Sequence, residues 1–138
     1  MMASTEPWLT LGRTVDQSLA VVTDHTCETY LIADDSAVLG FIVLTLAGPF
    51  RGYIRSVCVL ADRRGEGLGQ RLLAFAEERI FRESPNVFMC VSTFNPKARA
   101  LYERVGYAVV GELTDYLVRG HGEVLLRKTR GPWSEFSS

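Results

Sequence analysis

The stretch from Val57 to Gln70 reads VCVLADRRGEGLGQ and contains the signals that decide the fold. The apolar run at its start is typical of a buried strand, and the apolar spacing that begins at Leu68 indicates a helix. Between them, Gly65, Gly67 and Gly69 alternate with larger residues. Glycines let backbone N–H groups converge on an anion, and the N-terminus of a helix adds positive charge. The stretch therefore predicts a strand, a diphosphate-binding loop and a helix.

The residues that follow the glycines exclude two other nucleotide-binding loops. A Walker A loop ends in Gly-Lys-Ser/Thr, whereas this chain has Leu68-Gly69-Gln70. The dinucleotide fingerprint needs glycine at position 70 or 72, but these residues are Gln70 and Leu72. It also needs an acidic residue at the end of the next strand, where this chain has Phe94. The remaining pattern, Arg64-x-x-Gly67-x-Gly69, resembles the pyrophosphate loop of acyltransferases that use coenzyme A.

A second motif lies downstream, where the segment from Asn95 to Tyr107 reads NPKARALYERVGY. It resembles the N-x-x-A-x-x-L-Y-x-x-x-G-F/Y motif of the GNAT superfamily of N-acetyltransferases. The two motifs occur in the family's order, with a predicted helix and strand between them, and together they cover about Tyr53 to Tyr107. Asn95 is also a good N-cap residue, and Pro96 suits the first position of a helix.

The hydrophobic pattern predicts a single domain over residues 1–128 and a loose C-terminal tail over 129–138. A strand–helix–strand crossover predicts two parallel central strands, flanked by antiparallel hairpins. The pattern therefore indicates a mixed α/β fold, with helices on both faces of a mixed sheet. The resemblance implies that this is the GNAT-type three-layer α/β/α arrangement, in which the central sheet is splayed. The predicted elements are a possible first strand at Trp8–Leu11, a helix at Val15–Val22, strands at Glu28–Ala33, Val38–Leu46 and Tyr53–Leu60, a helix from Leu68 to Glu83, a strand at Val87–Phe94, a helix from Asn95 to Gly106, and strands at Tyr107–Val118 and Glu123–Arg127.

Composition narrows the class of protein. The chain has 138 residues, a net charge of −1 and 47% hydrophobic residues, which predicts one globular domain without the positive field that nucleic acid requires. Three widely spaced cysteines form no CxxC pair, so neither a disulfide framework nor a metal site is expected. No signal-peptide pattern and no apolar stretch of membrane-spanning length are present, so we expect a soluble, cytoplasmic protein without membrane contacts.

The resemblance implies acetyl-CoA as the cofactor and assigns residues to hold it. The strand segment Val57–Val59 would bond the pantetheine arm through its backbone, and Asn95 would meet the same arm. Arg63 is a candidate for a phosphate contact, and Lys97 and Arg99 are candidates for the 3′-phosphate, although all three are as readily solvated surface groups. The cofactor-binding residues implied in this way are Val57, Cys58, Val59, Arg64, Gly65, Glu66, Gly67, Leu68, Gly69, Gln70 and Asn95.

The resemblance also implies direct attack by an amine on the thioester, whose carbonyl a backbone N–H at Val59 would polarise. Tyr102 would donate a proton to the departing thiolate, since a phenol keeps its proton at neutral pH. The general base is not determined, because Tyr53–Val59 contains none of the acidic residues that many relatives carry there. Asp115 is favoured, because its strand usually borders the acceptor pocket; the alternatives are a water relay, Glu28, Glu112, His121 and Glu123.

The acceptor implied by the resemblance is an amine of a small molecule, a peptide or a protein, and the chain could be a monomer or a homodimer. A second interpretation is a non-catalytic acyl-CoA-binding sensor or regulatory module of the same fold. A third is a different nucleotide binder that uses the glycine loop for ATP or NAD. The short segment before the first predicted helix leaves the identity of the acceptor open.

Overall fold

The structure, a computed structural model, describes residues 27–35 and 37–137, which form a mixed sheet with two helices and short 3₁₀ turns at Ala61–Arg63 and Trp133–Glu135. The possible strand at Trp8–Leu11 and the helix at Val15–Val22 lie outside the described residues. The elements, in chain order, are β1 (Glu28–Ala33), β2 (Val38–Thr45), β3 (Tyr53–Val59), α1 (Leu68–Phe81), β4 (Asn86–Ser92), α2 (Pro96–Arg104), β5 (Ala108–Val118) and β6 (His121–Thr129).

The six strands form one sheet in the order β1-β2-β3-β4-β6-β5. The predicted crossover is confirmed, because β3 and β4 are parallel while the pairs on either side are antiparallel. The parallel pairing is short and joins only Tyr53 to Phe88 and Ile54 to Met89. Beyond these positions β3 continues to Val59 without pairing to β4, so the sheet splits toward the carboxyl ends of its central strands. This is the splayed sheet that the sequence predicts.

One large core lies on the side of the sheet where α1 packs. From α1 it includes Leu72, Ala76 and Ile80, and from the sheet Ile54 and Val91. Leu73 also belongs to it, whereas Phe75 of α1 is 45% exposed and contacts the ring of Tyr30 edge-on. The side chains of α2 that face inward pack against this same core. Both described helices therefore share one face of the sheet.

The opposite face of the sheet has a second, smaller cluster, which contains Phe41, Val43 and Cys58. Strand geometry explains the division, because successive side chains point to opposite faces. Cys58 alternates with Val57 and Val59, and those two valines pack against the large core. The backbone of β3 therefore separates the two faces at the point where the sheet splits.

The end of the chain is more ordered than the sequence predicts. Strand β6 runs to Thr129, the backbone N–H of Arg130 donates to the carbonyl of Pro85 at 2.8 Å, and the guanidinium of Arg51 lies 5.4 Å from the ring centroid of Trp133. The last hairpin is also tighter than expected, since Val118 pairs with His121 across a two-residue turn. The sequence predicts a loose tail, but the ring of Trp133 meets Arg51 from a distant segment, and the ring of Phe136 contacts that of Trp133.

Candidate active site

A cavity of about 760 Å³ opens where β3 and β4 separate. Its walls come from β3, from the glycine loop with the start of α1, from β4, and from α2, and one side is closed by residues of β5 and β6. The structure brings together in this cavity nearly all the residues that the sequence assigned to a cofactor: Val57, Cys58, Val59, Arg64, Gly65, Gly67, Leu68, Gly69, Gln70 and Asn95. Tyr102 lines it as well.

The glycine loop has the backbone geometry that the pattern predicts. Gly65 and Gly67 have φ angles of 88° and 80°, and a Cβ at either position would meet nothing within 4 Å. Gly67 is the N-cap of α1, so the free N–H groups of the first helical turn point to this end of the cavity. The loop is therefore open on the side where a ligand approaches, as an anion-binding helix terminus must be.

The two arginines of the loop differ in their surroundings. Arg63 donates to the carboxylate of Glu66 at 2.9 Å and forms an ion pair with Asp34 at 3.5 Å. The side chain of Glu66 is thereby engaged with Arg63, and Glu66 is absent from the residues that line the cavity, unlike its neighbours. Both arginines line the cavity, and Arg64 is the more exposed of the two. Arg64 is therefore the better placed of the two for a phosphate, and Glu66 could contribute only through its backbone.

Gly67→Ala is expected to weaken coenzyme A binding. An alanine at a positive φ angle is strained by about 1–2 kcal/mol, and relief of that strain moves the N–H groups that the loop presents. Gly48→Ala is a matched control, because Gly48 has a φ of 90°, equally open surroundings and no part in the cavity. We expect both variants to lose similar thermal stability and only Gly67→Ala to lose coenzyme A affinity in calorimetry. Equal affinity in the two variants would contradict the loop's role.

Asn95 and Tyr102 reach the cavity from α2. The Asn95 side chain accepts a hydrogen bond from the N–H of Ala98 at 3.3 Å, which confirms it as the N-cap of this helix. Tyr102 lies close to two turns further along and packs against the large core. Within the described part of the chain its hydroxyl has no hydrogen-bond partner, and burial raises the pKa of its phenol. A protonated donor is therefore held at the cavity wall.

A polar network lies directly behind Tyr102. The ring of Tyr107 contacts the ring of Tyr102 edge-on, with centroids 6.1 Å apart. The Tyr107 hydroxyl donates to one oxygen of Glu77 at 2.8 Å, and Lys128 donates to the other at 2.9 Å. Burial and the Glu77 carboxylate raise the pKa of Tyr107. This network fixes the ring against which Tyr102 rests.

Polar side chains line the cavity on the opposite face of the sheet from α1. In β4, Met89 and Val91 point into the large core, so Cys90 and Ser92 point to the other face. Glu123 is the residue of β6 that pairs with Ser92. Two tyrosines complete the set, Tyr53 from β3 and Tyr116 from β5. We call this set the polar wall; it consists of Tyr53, Cys90, Ser92, Tyr116 and Glu123.

Glu123 is the acidic group of the polar wall. Its side chain is only 5% exposed, and Ser92 donates to one of its oxygens at 2.6 Å. Removal from water raises the pKa of Glu123, which the hydrogen bond from Ser92 opposes. Burial likewise raises the pKa of Cys90, whose thiol is hydrogen-bonded to the phenol of Tyr53. A buried carboxyl with a raised pKa in a cleft is characteristic of groups that exchange protons.

The other candidate bases do not lie in the cavity. Asp115, favoured from the sequence, accepts a hydrogen bond from the N–H of Gly120 at 2.6 Å and does not line the cavity. Glu28 forms an ion pair with Arg79 at 2.8 Å, and the His121 ring lies against the ring of Phe94. Glu112 is exposed on β5. Of the acidic residues named from the sequence, only Glu123 lines the cavity.

Sequence reasoning did not single out Tyr53, Cys90, Ser92 or Tyr116. A signal for two of them is present in β4, where Cys90 and Ser92 alternate with apolar residues at strand spacing. Cysteine and serine are small enough to be buried in a core, so this alternation does not by itself mark a polar face. In the described part of the chain, no three His, Cys, Asp or Glu side chains are grouped so that they could hold a metal ion. None of the described helices is both long and apolar enough to cross a bilayer.

Comparison with known proteins agrees with this architecture. Residues 2–107 match the model of the acetyltransferase (GNAT) family. The match covers both motifs, the splayed strands and the glycine loop. The chain therefore belongs to the GNAT family of acetyltransferases.

Two curated relatives are similar over part of their length. The chain is 41% identical over 56 residues to a blasticidin-S acetyltransferase of Streptomyces morookaense, a match that covers 41% of each chain. It is 37% identical over 82 residues to a protein described as an acetyltransferase from Agrobacterium fabrum, which covers 58% of this chain and 57% of the relative. The similarity thus spans about half the length of these relatives.

Solved structures show the same fold. A nourseothricin acetyltransferase aligns with a TM-score of 0.69 at 23% identity over 78% of this chain and 68% of the other. An aminoglycoside 6′-N-acetyltransferase complexed with coenzyme A aligns with a TM-score of 0.67 at 17% identity over 84% of this chain and 79% of the other. Because these sequence identities are below 25%, the structural similarity shows a shared fold and nothing more.

Acetyl-CoA is the cofactor of this family, and the residues present fit it. Gly65 and Gly67 have no Cβ atoms, so the space beside the loop stays open for a ligand. The helix N-terminus that follows the loop supplies N–H groups for a diphosphate. The segment Val57–Val59 pairs with β2 and not with β4, and it lines the cavity along the edge where β3 and β4 separate. A cavity of about 760 Å³ is of the size that ligand sites have.

Proposed function

We propose that this chain transfers an acetyl group from acetyl-CoA directly to a primary amine of a small, cationic molecule. One observation carries the proposal: the buried carboxyl of Glu123 faces the same cavity as the glycine loop and Tyr102. A module that only binds acyl-CoA needs the loop, but it has no use for a buried acidic group on the far wall. Burial of an unneeded carboxyl costs free energy.

Three parts of the chain would hold the cofactor. The glycine loop with Arg64 would bind the diphosphate, the backbone of Val57–Val59 would bond the extended arm, and Asn95 would contact the same arm. When bound, acetyl-CoA supplies an acetyl group activated as a thioester. The split between β3 and β4 would place the reactive end of this arm between Tyr102 and the polar wall.

Glu123 would act as the general base. A primary amine enters as an ammonium, which cannot attack a carbonyl until it loses a proton. The carboxylate of Glu123 accepts that proton, and the hydrogen bond from Ser92 keeps it oriented. Because burial raises its pKa, it is a stronger base than an exposed glutamate.

Tyr102 would act as the general acid for the departing thiolate. Its pKa is raised by burial, so the phenol keeps its proton through the neutral range. The cysteines are poor alternatives as covalent carriers of the acetyl group. Cys58 is buried in the small apolar cluster, and the raised pKa of Cys90 keeps it in the unreactive thiol form. Direct transfer needs neither.

The polar wall and the relatives both support a cationic acceptor. A carboxylate beside two phenols attracts an ammonium by charge and by cation–π contact. The names of three similar proteins refer to blasticidin S, nourseothricin and aminoglycosides, which are amine-bearing antibiotics, whereas another solved structure of this fold is named for a ribosomal-protein acceptor. We therefore place this chain's acceptor among small, hydrophilic amines of that kind rather than among peptides.

The test is an assay of the full chain with acetyl-CoA and a panel of amines. The panel contains blasticidin S, nourseothricin, an aminoglycoside, a polyamine and a lysine-containing peptide, with release of free coenzyme A as the readout. We expect acetyl-dependent release with at least one of the small cations and little with the peptide. Tight coenzyme A binding in calorimetry without release on any amine would instead select the non-catalytic interpretation.

A further inference from the structure

The edge strand β5 leaves its partner beside the cavity. Leu113 pairs with Glu123 and Val118 pairs with His121, so the four residues from Thr114 to Leu117 stand opposite Gly122 alone. Four residues facing one cannot remain in a flat ladder, and the strand must bulge. Bulges of this kind commonly re-aim side chains next to functional sites.

Asp115 holds this bulge in shape. It has a φ of 55° and is the only residue other than glycine with a positive φ in the described part of the chain. Aspartate tolerates this left-handed conformation better than most residues because its short side chain can bond the local backbone. Here its carboxylate accepts the hydrogen bond from the N–H of Gly120, in the turn that follows. The contact ties the bulge to the β5–β6 turn.

The bulge presents two large side chains to the cavity. Tyr116 and Leu117 both line it, although they are 56% and 47% exposed. Tyr53 of β3 lines the same cavity, and burial raises the pKa of its phenol, with a smaller contribution from Tyr116. Side chains this large and this exposed beside a cavity have apolar surface that a ligand can cover. They belong, with Glu123, to the part of the cavity lining that the β5–β6 hairpin supplies.

We propose that Asp115 is a positioning residue, and that the bulge it fixes places Tyr116 against the body of the acceptor amine and so determines which amines are accepted. This rests on the proposed acetyltransferase function. It replaces the role of general base that the sequence favoured for Asp115. The carboxylate acts on the backbone of Gly120, and the selectivity comes from the side chain that follows it.

The experiment compares Asp115→Ala, Asp115→Asn and Tyr116→Ala with the unaltered chain, using the amine that gives the fastest coenzyme A release. An alanine cannot accept the hydrogen bond from Gly120, whereas an asparagine keeps both an acceptor oxygen and tolerance of positive φ. We expect Asp115→Ala and Tyr116→Ala to raise the KM for the amine about tenfold. We expect the KM for acetyl-CoA to stay unchanged and Asp115→Asn to behave like the unaltered chain.

Two further readouts separate positioning from a general loss of structure or of a base. Hydrogen exchange of the Gly120 amide should quicken in Asp115→Ala and remain slow in Asp115→Asn. Asparagine cannot accept a proton, so Asp115→Asn would change the pH profile of kcat/KM if Asp115 were the base. Because Asp115 acts only by positioning, the profile should be the same as for the unaltered chain. Across the amine panel, the order of preference should change in Tyr116→Ala.

Each contrary result has a distinct meaning. In the first, the unaltered chain acetylates an amine while Asp115→Ala and Tyr116→Ala leave the KM for that amine unchanged. This result overturns the inference about Asp115 and Tyr116 and leaves the proposed function standing. A KM that rises equally for amine and acetyl-CoA also overturns it, since the effect is then a general one. Loss of activity in Asp115→Asn overturns positioning in favour of proton transfer. An unaltered chain that is inactive on every amine removes the proposed function itself.

Discussion

Glu123→Gln is expected to lower kcat/KM for the amine by about 10²- to 10³-fold, which is the range that a positioned general base contributes. The glutamine amide has almost the shape of the carboxyl group, and its oxygen can still accept the hydrogen bond from Ser92. The fold and the coenzyme A site should therefore remain, while the group that takes the proton from the ammonium is gone. Steady-state kinetics with coenzyme A release as the readout measure the change.

The pH dependence adds a second signature of Glu123. Burial raises its pKa, so the protonated, inactive form persists to a higher pH than in an exposed glutamate. Activity of the unaltered chain should therefore fall as the pH is lowered through that raised pKa, and Glu123→Gln should lack this limb. Glu112→Gln is the matched control, because Glu112 is an exposed carboxylate on the neighbouring strand and should change neither rate nor profile. An unchanged rate in Glu123→Gln would end its assignment as the base.

Tyr102→Phe is expected to lower kcat by about 10²-fold or somewhat less, at the low end of general-acid effects. The loss is smaller than for the base because a coenzyme A thiol, with a reference pKa of about 8.5, departs fairly well unaided. The ring stays packed against the core and against Tyr107, so coenzyme A affinity should not change. Kinetics give kcat, and calorimetry gives the affinity.

Tyr107→Phe provides the control for Tyr102→Phe. It removes a neighbouring phenol oxygen that bonds Glu77 and does not line the cavity. We expect a lower melting temperature, because Glu77 loses one partner, with kcat nearly unchanged. Loss of kcat in Tyr107→Phe as large as that in Tyr102→Phe would mean that the rate depends on packing rather than on the Tyr102 proton.

The glycine loop and the position of α2 could be predicted because their signals are local. Gly65, Gly67 and the helix from Leu68 are adjacent in the chain, and strand, loop and helix follow one another without interruption. Asn95 as N-cap and Tyr102 on the inner face of α2 follow from helical periodicity in the same way. These features depend on a few consecutive residues, so composition and spacing suffice to place them.

The acceptor half could not be predicted, because it depends on how distant strands pair. Asp115 and Glu123 both occur in the last hairpin, and a regular ladder would have left either one as a possible base. The bulge between Leu113 and Val118 turns Asp115 to the backbone of Gly120 and leaves Glu123 opposite Ser92. No local sequence pattern predicts a bulge of this length. Tyr53 and Cys90 meet only because parallel strands β3 and β4 lie side by side.

The short pairing between β3 and β4 has a consequence for the resistance of the chain to proteolysis. With only two residue pairs joining one half of the sheet to the other, much of the connection must come from α1 and from whatever fills the gap. A ligand that bridges the gap stabilises the native state by about 2.7 kcal/mol when it is present at a hundred times its dissociation constant. Resistance of the purified chain to proteolysis should accordingly increase when acetyl-CoA is added.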